Sequence, residues 1–486
     1  MAKTVKHSQE TLSFGKSVTT LISGSTLGMA IGFFAQLLMI HFYTEADFGI
    51  LATFQALVMV FSVIASFRIE DAMALPRSFQ GATNVLVLSL LTSLVFCALL
   101  QVLFAFTAEF FAQTFQKPTL KNWLWAVPFA TFLSNAVRVI ELYLTRIRAF
   151  RQISLSRIVW NIGTSFGQLG AGILRLGSFG LIGGAILGRT FSLVNLFITA
   201  YFPNRTLLKR AFHPKYLVHA IKRYYRFAAY AMPAALLNTL PTQMIILGLG
   251  YFFGESVVGV YDRGYRYLVI PAGLMGSAIS SVFLSQAAEA LHQKGLSHVA
   301  ALTYQRMLWM MAFPVLSVML AGPELYAFIL QNPNWATSGT YAQWIAPWLF
   351  FITISSVLSP IYDLLQKQRI DLIFSLMSFL FQLLVLWIFG LLGNPFWTIM
   401  ALSIAGIVSR FTQLFILFTI SSTPKNLIFS NFFPIFYSAM PGLLLLHFSK
   451  NLPIWGNVFW GFLLGWFAFG GMYYLFYKNK EKSNFP

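Results

Sequence analysis

Cysteine is nearly absent from this chain. One residue, Cys97, occurs among 486, and it stands inside an apolar run. No disulfide framework is possible, and Cys97 reads as a small packed or lipid-facing residue. Charge is scarce too: 10% of the residues are charged, against about 25% in a soluble globular domain. A water-soluble fold is thereby excluded. Acids are the scarcest class, 14 Asp and Glu against 33 Lys and Arg, and there are only 7 His. No ligand set for a metal and no cofactor motif stands out. A cleavable leader is also missing from the reading: MAKTVKHSQE is polar and basic, and the first apolar run has full spanning length without a small-residue cleavage site.

What is present is hydrophobicity. Apolar residues make up 57% of the chain, and the mean hydropathy is +0.71. The expectation is an all-α polytopic membrane protein. The net charge of +19 would suggest nucleic acid in a soluble protein. Here most Lys and Arg fall in short loops, where the positive-inside rule accounts for them.

Apolar runs of about 17–25 residues mark about fourteen spans. They are Val18–Phe42, Phe48–Phe67, Thr83–Ala105, Trp123–Leu144, Ile158–Leu176 and Leu181–Tyr201; then, past a basic connection at Arg205–Arg226, Phe227–Gly250, Val257–Phe283, Leu308–Ala321, Thr340–Leu364, Leu372–Leu392 and Trp397–Ile420; finally Phe433–Phe448 and Ile454–Tyr477. Basic residues collect after even-numbered spans, from Arg68 and Arg77 through Arg146–Arg157 and the connection to Lys294, Arg306, Lys367, Arg369 and Lys425. The opposite loops are short and carry Glu45, Glu255 and Glu324, with only Lys117, Lys121 and Lys450 to offset them. Both termini are therefore expected in the cytoplasm.

A repeat is visible at a shift of about 210 residues: YTEADFGI before span two matches FFGESVVGV before span eight, pairing Glu45 with Glu255 and Gly49 with Gly259. Six spans per half make the repeat parallel, a plan common among transporters. The expected organisation is an N-terminal six-helix lobe (1–204), a basic cytoplasmic linker (205–226), a C-terminal six-helix lobe (227–421), and two extra helices with a tail (422–486), the lobes enclosing a central cavity. The linker is amphipathic in places, as in KYLVHAIKRYY.

Span eight, VVGVYDRGYRYLVIPAGLMGSAISSVF, carries Asp262, Arg263 and Arg266 in its first three turns. At 1.5 Å per residue the arginines lie about 9–14 Å inside the helix end. Facing lipid, each charge costs at least about 3 kcal/mol. The segment is expected to face a water-filled cavity. A bland reading also exists, an intrahelical pair of Asp262 with Arg266, which leaves Arg263 unexplained. Pro271, mid-span, separates the arginine-bearing half from a Gly/Ser-rich half and is the best candidate hinge.

Three stretches carry a family resemblance. FGILATFQALVMVFSVIASFRIEDAMALPRS (48–78) and YRYLVIPAGLMGSAISSVFLSQAAEA (265–290) resemble the second and eighth spans of the bacterial oligosaccharide flippases, and GLIGGAILGRTFS (180–192) resembles the sixth. These polysaccharide transporters move O-antigen and related lipid-linked glycans, within a superfamily that also holds multidrug exporters and the lipid II flippase. The resemblance implies alternating access across the bacterial inner membrane, and an undecaprenyl-pyrophosphate-linked oligosaccharide as cargo. Its implied partners are membrane lipids and glycan polymerase machinery. The two extra spans resemble the lipid II flippase layout.

A pyrophosphate crossing hydrocarbon needs matching charge, and the arginine fork suits phosphate oxygens. Arg263 and Arg266 are the main candidates. Arg189, at comparable depth in span six, either completes a cationic belt or pairs with a neighbour. Arg138 and Arg410 lie nearer the cytoplasmic side, where snorkelling accounts for them. Thr53 and Ala56 occupy the repeat positions of Arg263 and Arg266, so the grip is one-sided. Gln55, Asn238 and Gln243 offer neutral contacts for sugar hydroxyls, with interhelical hydrogen bonding as the plainer account. Glu70 with Arg68 or Arg138 is the expected gate ion pair, and Asp262 is the candidate for proton coupling. Two other functions compete. An exporter of organic cations should present a cavity carboxylate on span one, which has none. A membrane glycan polymerase or ligase needs catalytic groups on a long outer loop, and the outer loops are short.

Overall fold

The computed structural model describes residues 28, 30–114, 122–211, 214–292, 295–332 and 335–430, and isolated positions between 434 and 471. Among the described residues there is no strand. The helices are α1 Ala30–Met39, α2 Glu45–Ala65, α3 Phe79–Thr114, α4 Ala126–Arg146, α5 Phe150–Ile173, α6 Gly177–Ala211, α7 Pro214–Arg226 and α8 Met232–Phe253. They continue with α9 Glu255–His292, α10 Leu296–Leu330, α11 Ala336–Leu358, α12 Pro360–Leu364, α13 Gln368–Leu391, α14 Pro395–Ile420 and α15 Leu427–Ser430.

Among the described residues, ten helices are long and apolar enough to cross a membrane. They answer to ten of the fourteen expected spans. The first span is described only from Gly28, as the short apolar α1, and the last two lie mostly outside the described residues. The fifth is helical, as α5, yet is not among the ten. Arg151, Arg157 and the polar positions Asn161, Thr164, Ser165 and Gln168 dilute its hydropathy. The ninth span was expected at Leu308–Ala321, but α10 runs from Leu296 to Leu330 and turns at Ala321, whose φ of −134° and ψ of 33° leave the helical region just before Gly322 and Pro323. Arg306 and Glu324, expected in loops, therefore stand inside α10.

Local chemistry sets the helix ends. Thr44 caps α2: its Oγ1 accepts from the Asp47 N–H at 3.2 Å, and Asp47 accepts from the Thr44 N–H at 3.0 Å. This reciprocal box satisfies two orphan donors. Asn394 caps α14 through the Phe396 and Trp397 N–H groups, with Pro395 in the first turn. Between α8 and α9, Gly254 has φ +87°, which lets one helix follow another with no loop. Beside α1, Tyr43 donates its hydroxyl to the Gln168 carbonyl, and burial pushes its pKa up to about 12.

The chain divides into two compact units, Met1–Gly259 and Val260–Pro486. The division falls inside α9, beyond the basic connection, because α8 packs along α2. In the first unit, the residues matched by the repeat meet one another. A Cβ added at Gly49 would collide with the Glu255 carbonyl, and one added at Gly259 would collide with the Glu45 carbonyl. Two contacts that exchange into each other are the mark of a two-fold relation. The absence of side chains at both positions is what lets the backbones touch. A second small-residue seam joins α5 to α6, where Gly163 and Gly167 face Gly188 and Gly184. Such seams matter because lipid removes the hydrophobic drive between helices and leaves close packing to hold them.

The second unit has its own core, built around Tyr304, Phe313, Ile354 and Phe418. Phe313 of α10 stacks on Phe469, which ties a described fragment of the C-terminal region to that core.

Candidate functional site

The first turns of α9 bring one carboxylate against two guanidiniums. Asp262 Oδ2 accepts from Arg263 Nη2 at 2.6 Å and from Arg266 Nε at 2.8 Å, and Oδ1 lies 3.1 Å from the same Nε. Asp262 and Arg263 are each only 2% exposed, whereas the Arg266 side chain keeps 29% of its surface open. The helix beneath them is pinned from two sides. Tyr326 of α10 donates to the Gly264 carbonyl at 2.6 Å, and Ser338 of α11 donates to the Val260 carbonyl at 2.9 Å. Tyr267 sits edge-on to Tyr326, and Tyr261 stacks on Tyr265. Burying a charge is costly unless it is paired, and here two positive groups share one negative partner. The cluster carries a formal charge of +1.

The expectation that both arginines face open water is corrected in part. Arg263 is enclosed: it donates to Asp262 and is hydrogen-bonded to the Tyr267 hydroxyl. Arg266 is the group that reaches the open side. The pair of Asp262 with Arg266 at i,i+4 is present, and Arg263 joins the same carboxylate. Pro271 lies on the exposed side of α9, and the helix passes through it without leaving helical geometry.

Arg189 belongs to the first unit. Its Cζ stands 3.6 Å over the Trp160 ring, within electrostatic reach of Glu141. Arg157 donates to that same Glu141 at 3.3 Å. Arg189 therefore has neighbours of its own, an aromatic face and an acid. Asn238 is exposed on α8, Gln55 is half-buried on α2, and Gln243 is buried with its amide on Thr242 Oγ1 at 3.1 Å.

The expected ion pairs at the end of α2 are formed, within the first unit. The chain leaves α2 through Phe67 and Arg68, both at positive φ, into a 3₁₀ turn, Ile69–Ala74. Glu70 is fully buried and accepts from Ser66 Oγ at 2.5 Å and Arg138 Nε at 3.3 Å. Arg138 Nη2 also donates to Asp71 at 3.0 Å, and Arg68 lies 3.6 Å from Asp71. Arg138 thus bridges two acids instead of snorkelling. Arg410 likewise turns inward: it donates to Gln413 at 2.7 Å and acts electrostatically on Asp371 and Tyr265.

Sequence reasoning missed Asn135 and Arg146. Asn135 donates to the Ser66 hydroxyl and the Ser62 carbonyl, and Arg146 donates to the Met73, Ala74 and Pro76 carbonyls. A signal was available. At 100° per residue, Asn135, Arg138 and Arg146 fall within about 80° of one another, a polar stripe along one face of α4.

Long apolar helices, one of them carrying a buried, positively biased ion cluster, define a polytopic helical membrane fold. Solved structures agree on the fold. The chain is similar to the lipid II flippase MurJ in an inward closed conformation, with a TM-score of 0.71 at 18% identity, over 94% of this chain and 99% of that one. It is also similar to an outward-facing multidrug resistance MATE family transporter, with a TM-score of 0.56 at 16% identity over 83% and 96%. A third likeness is to a MOP superfamily transporter from Pyrococcus furiosus, with a TM-score of 0.55 at 16% identity over 84% and 96%. In sequence it is 22% identical over 232 residues to the teichuronic acid biosynthesis protein TuaB of Bacillus subtilis. That match spans 46% of this chain and a little under half of the relative, 45%. The family model described as polysaccharide biosynthesis protein matches residues 38–340, and the chain belongs to that family.

Proposed function

We propose that this protein flips a polyprenyl-pyrophosphate-linked oligosaccharide across the bacterial cytoplasmic membrane by alternating access. The carrying observation is the surplus positive charge of Asp262, Arg263 and Arg266 on a membrane-spanning helix. An anionic headgroup that meets Arg266 would neutralise the surplus, and the arginine fork matches phosphate oxygens. Arg263 acts through Asp262, holding the carboxylate so that Arg266 is not fully neutralised. The family supports a polysaccharide cargo. The names of two similar proteins, a teichuronic acid biosynthesis protein and a lipid II flippase, point to the same chemical class. In the first unit, Gln55 and Asn238 are the proposed contacts for sugar hydroxyls, and Arg189 is a second phosphate candidate. Glu70 and Arg68 serve the conformational cycle, with Pro271 as a bending point.

The competing reading, an exporter of organic cations on the same fold, is disfavoured by that surplus, which repels a cation. Reconstituted liposomes carrying a fluorescent lipid-linked oligosaccharide test the proposal, with the label's accessibility to an external quencher reporting the leaflet. Arg266→Gln should slow flipping at least about tenfold, the scale of one charge-assisted phosphate contact. A wild-type rate in the Arg263→Ala/Arg266→Ala double variant at normal abundance would overturn the site. Both termini are proposed to be cytoplasmic. Reporter fusions at Lys209 and Asn332 should report opposite sides. Asn332 replaces Glu324 as the outer position, because Glu324 lies within α10.

A further inference from the structure

We infer that α7 is a docking surface for anionic phospholipid headgroups. Helix α7 carries three distinct faces. At 100° per residue, Leu217, Ala220 and Tyr224 share one face, and they pack into the first unit's core with Ile69, Ala72 and Met73 of the 3₁₀ turn. Val218, Ile221 and Tyr225 form the next face, and it is open: their exposures are 50%, 48% and 55%. Lys215, His219, Lys222 and Arg226 form the third, all exposed, with Arg223 at its margin. An open apolar stripe beside a basic stripe is the pattern of a helix lying at the boundary between acyl chains and headgroups.

Three further observations choose the occupant. First, α7 runs through a π-helical turn, Phe227–Ala231, directly into the spanning α8, so no loop separates it from the bilayer surface. A π turn is also a place where a helix can change direction. Second, the apolar surface continues beyond α7. Leu75 and Phe79, which flank the start of α3, are 59% and 60% exposed, and α7 packs against that same region. Third, the charge is of one sign. No Asp or Glu occurs between Glu141 and Glu255. A protein partner with a mixed-charge surface would leave some of these cations opposed. An anionic leaflet complements all of them, at a free energy per Lys or Arg that corresponds to about a fivefold change in partitioning.

The test needs no transport and stands apart from the proposed cargo. In a Cys97→Ser background of the full chain, an environment-sensitive fluorophore is attached at Ile221→Cys, at Tyr225→Cys or, as control, at His219→Cys. Each protein is placed in nanodiscs of phosphatidylcholine alone or of phosphatidylcholine and phosphatidylglycerol in equal parts. With phosphatidylglycerol, labels at 221 and 225 should shift to the blue and be quenched by acyl-chain quenchers, while the label at 219 stays water-like. Neutralising Lys215, Lys222, Arg223 and Arg226 to Gln should reduce the docked-to-undocked ratio about fivefold per charge. Labels at 221 and 225 that stay water-like in both lipids would overturn the docking. Equal burial in both lipids would overturn the requirement for anionic headgroups.

Discussion

Two ion clusters in this protein use the same residue types and differ in their arithmetic. At the end of α2, Glu70 and Asp71 meet Arg68 and Arg138, two negative groups against two positive. At the start of the second unit, one carboxylate, Asp262, meets two guanidiniums, Arg263 and Arg266. The balanced cluster closes on itself: every acid has a base, and Ser66 and Asn135 add hydrogen bonds that tie the 3₁₀ turn to α4. The unbalanced cluster leaves a positive charge over, and it leaves it on the arginine that keeps an open side. Buried ion pairs are weak contributors to stability, so the lesson concerns what each cluster is for. A balanced one is a fastening. An unbalanced one is an invitation to an anion.

The comparison can be broken most severely at Asp262. Asp262→Asn leaves two guanidiniums uncompensated in a buried setting, and should destabilise the chain by about 3–5 kcal/mol. Thermal unfolding in detergent and folded yield would show it. Glu70→Ala should cost somewhat less, about 3 kcal/mol, because Arg138 is half exposed and retains Asp71. Removing the matched pair, Glu70→Gln with Arg138→Gln, should recover most of that loss. No comparable recovery is expected if Asp262→Asn is combined with Arg266→Gln, since Arg263 stays buried without its carboxylate. Next comes the glycine crossing. Gly49→Ala forces a methyl onto the Glu255 carbonyl and should cost about 1–3 kcal/mol, with Gly259→Ala matching it if the two-fold relation holds. The smallest change in stability, under about 1 kcal/mol, is expected for Arg266→Gln, because Asp262 keeps Arg263 and the remaining pair is balanced. That variant sharpens the contrast, since its loss should be in flipping while the melting temperature hardly moves.

Much of this was legible residue by residue. Ten spans follow from runs of apolar residues, because a helix must be long enough to cross hydrocarbon and must satisfy its backbone internally. The pair Asp262 and Arg266 follows from i,i+4 spacing. The repeat aligns Gly49 with Gly259 in the sequence, and those glycines prove to be reciprocal partners. Less legible was Arg263. Neighbours at i,i+1 point about 100° apart, so its pairing with Asp262 depends on a long side chain turned back by Tyr267 and the helices around it. Arg138 allowed two readings, snorkelling and pairing with Glu70, and a single helix could not choose between them because its two acids come from residues almost seventy positions earlier. The break at Ala321 was signalled by the Gly-Pro that follows, but the apolar run around it concealed that α10 extends well past both expected ends.

From its composition alone, then, this chain was committed to helices in a membrane, to positive loops, and to a helix that sinks charge into hydrocarbon. Those outcomes depend on the solvent and on contacts within a turn or two, and both can be read along a string of residues. Which arginine is enclosed and which is open, and which acids are matched, were decided only by folding. Charges are compensated by whatever lies within a few ångströms, and helices far apart in sequence supply those neighbours.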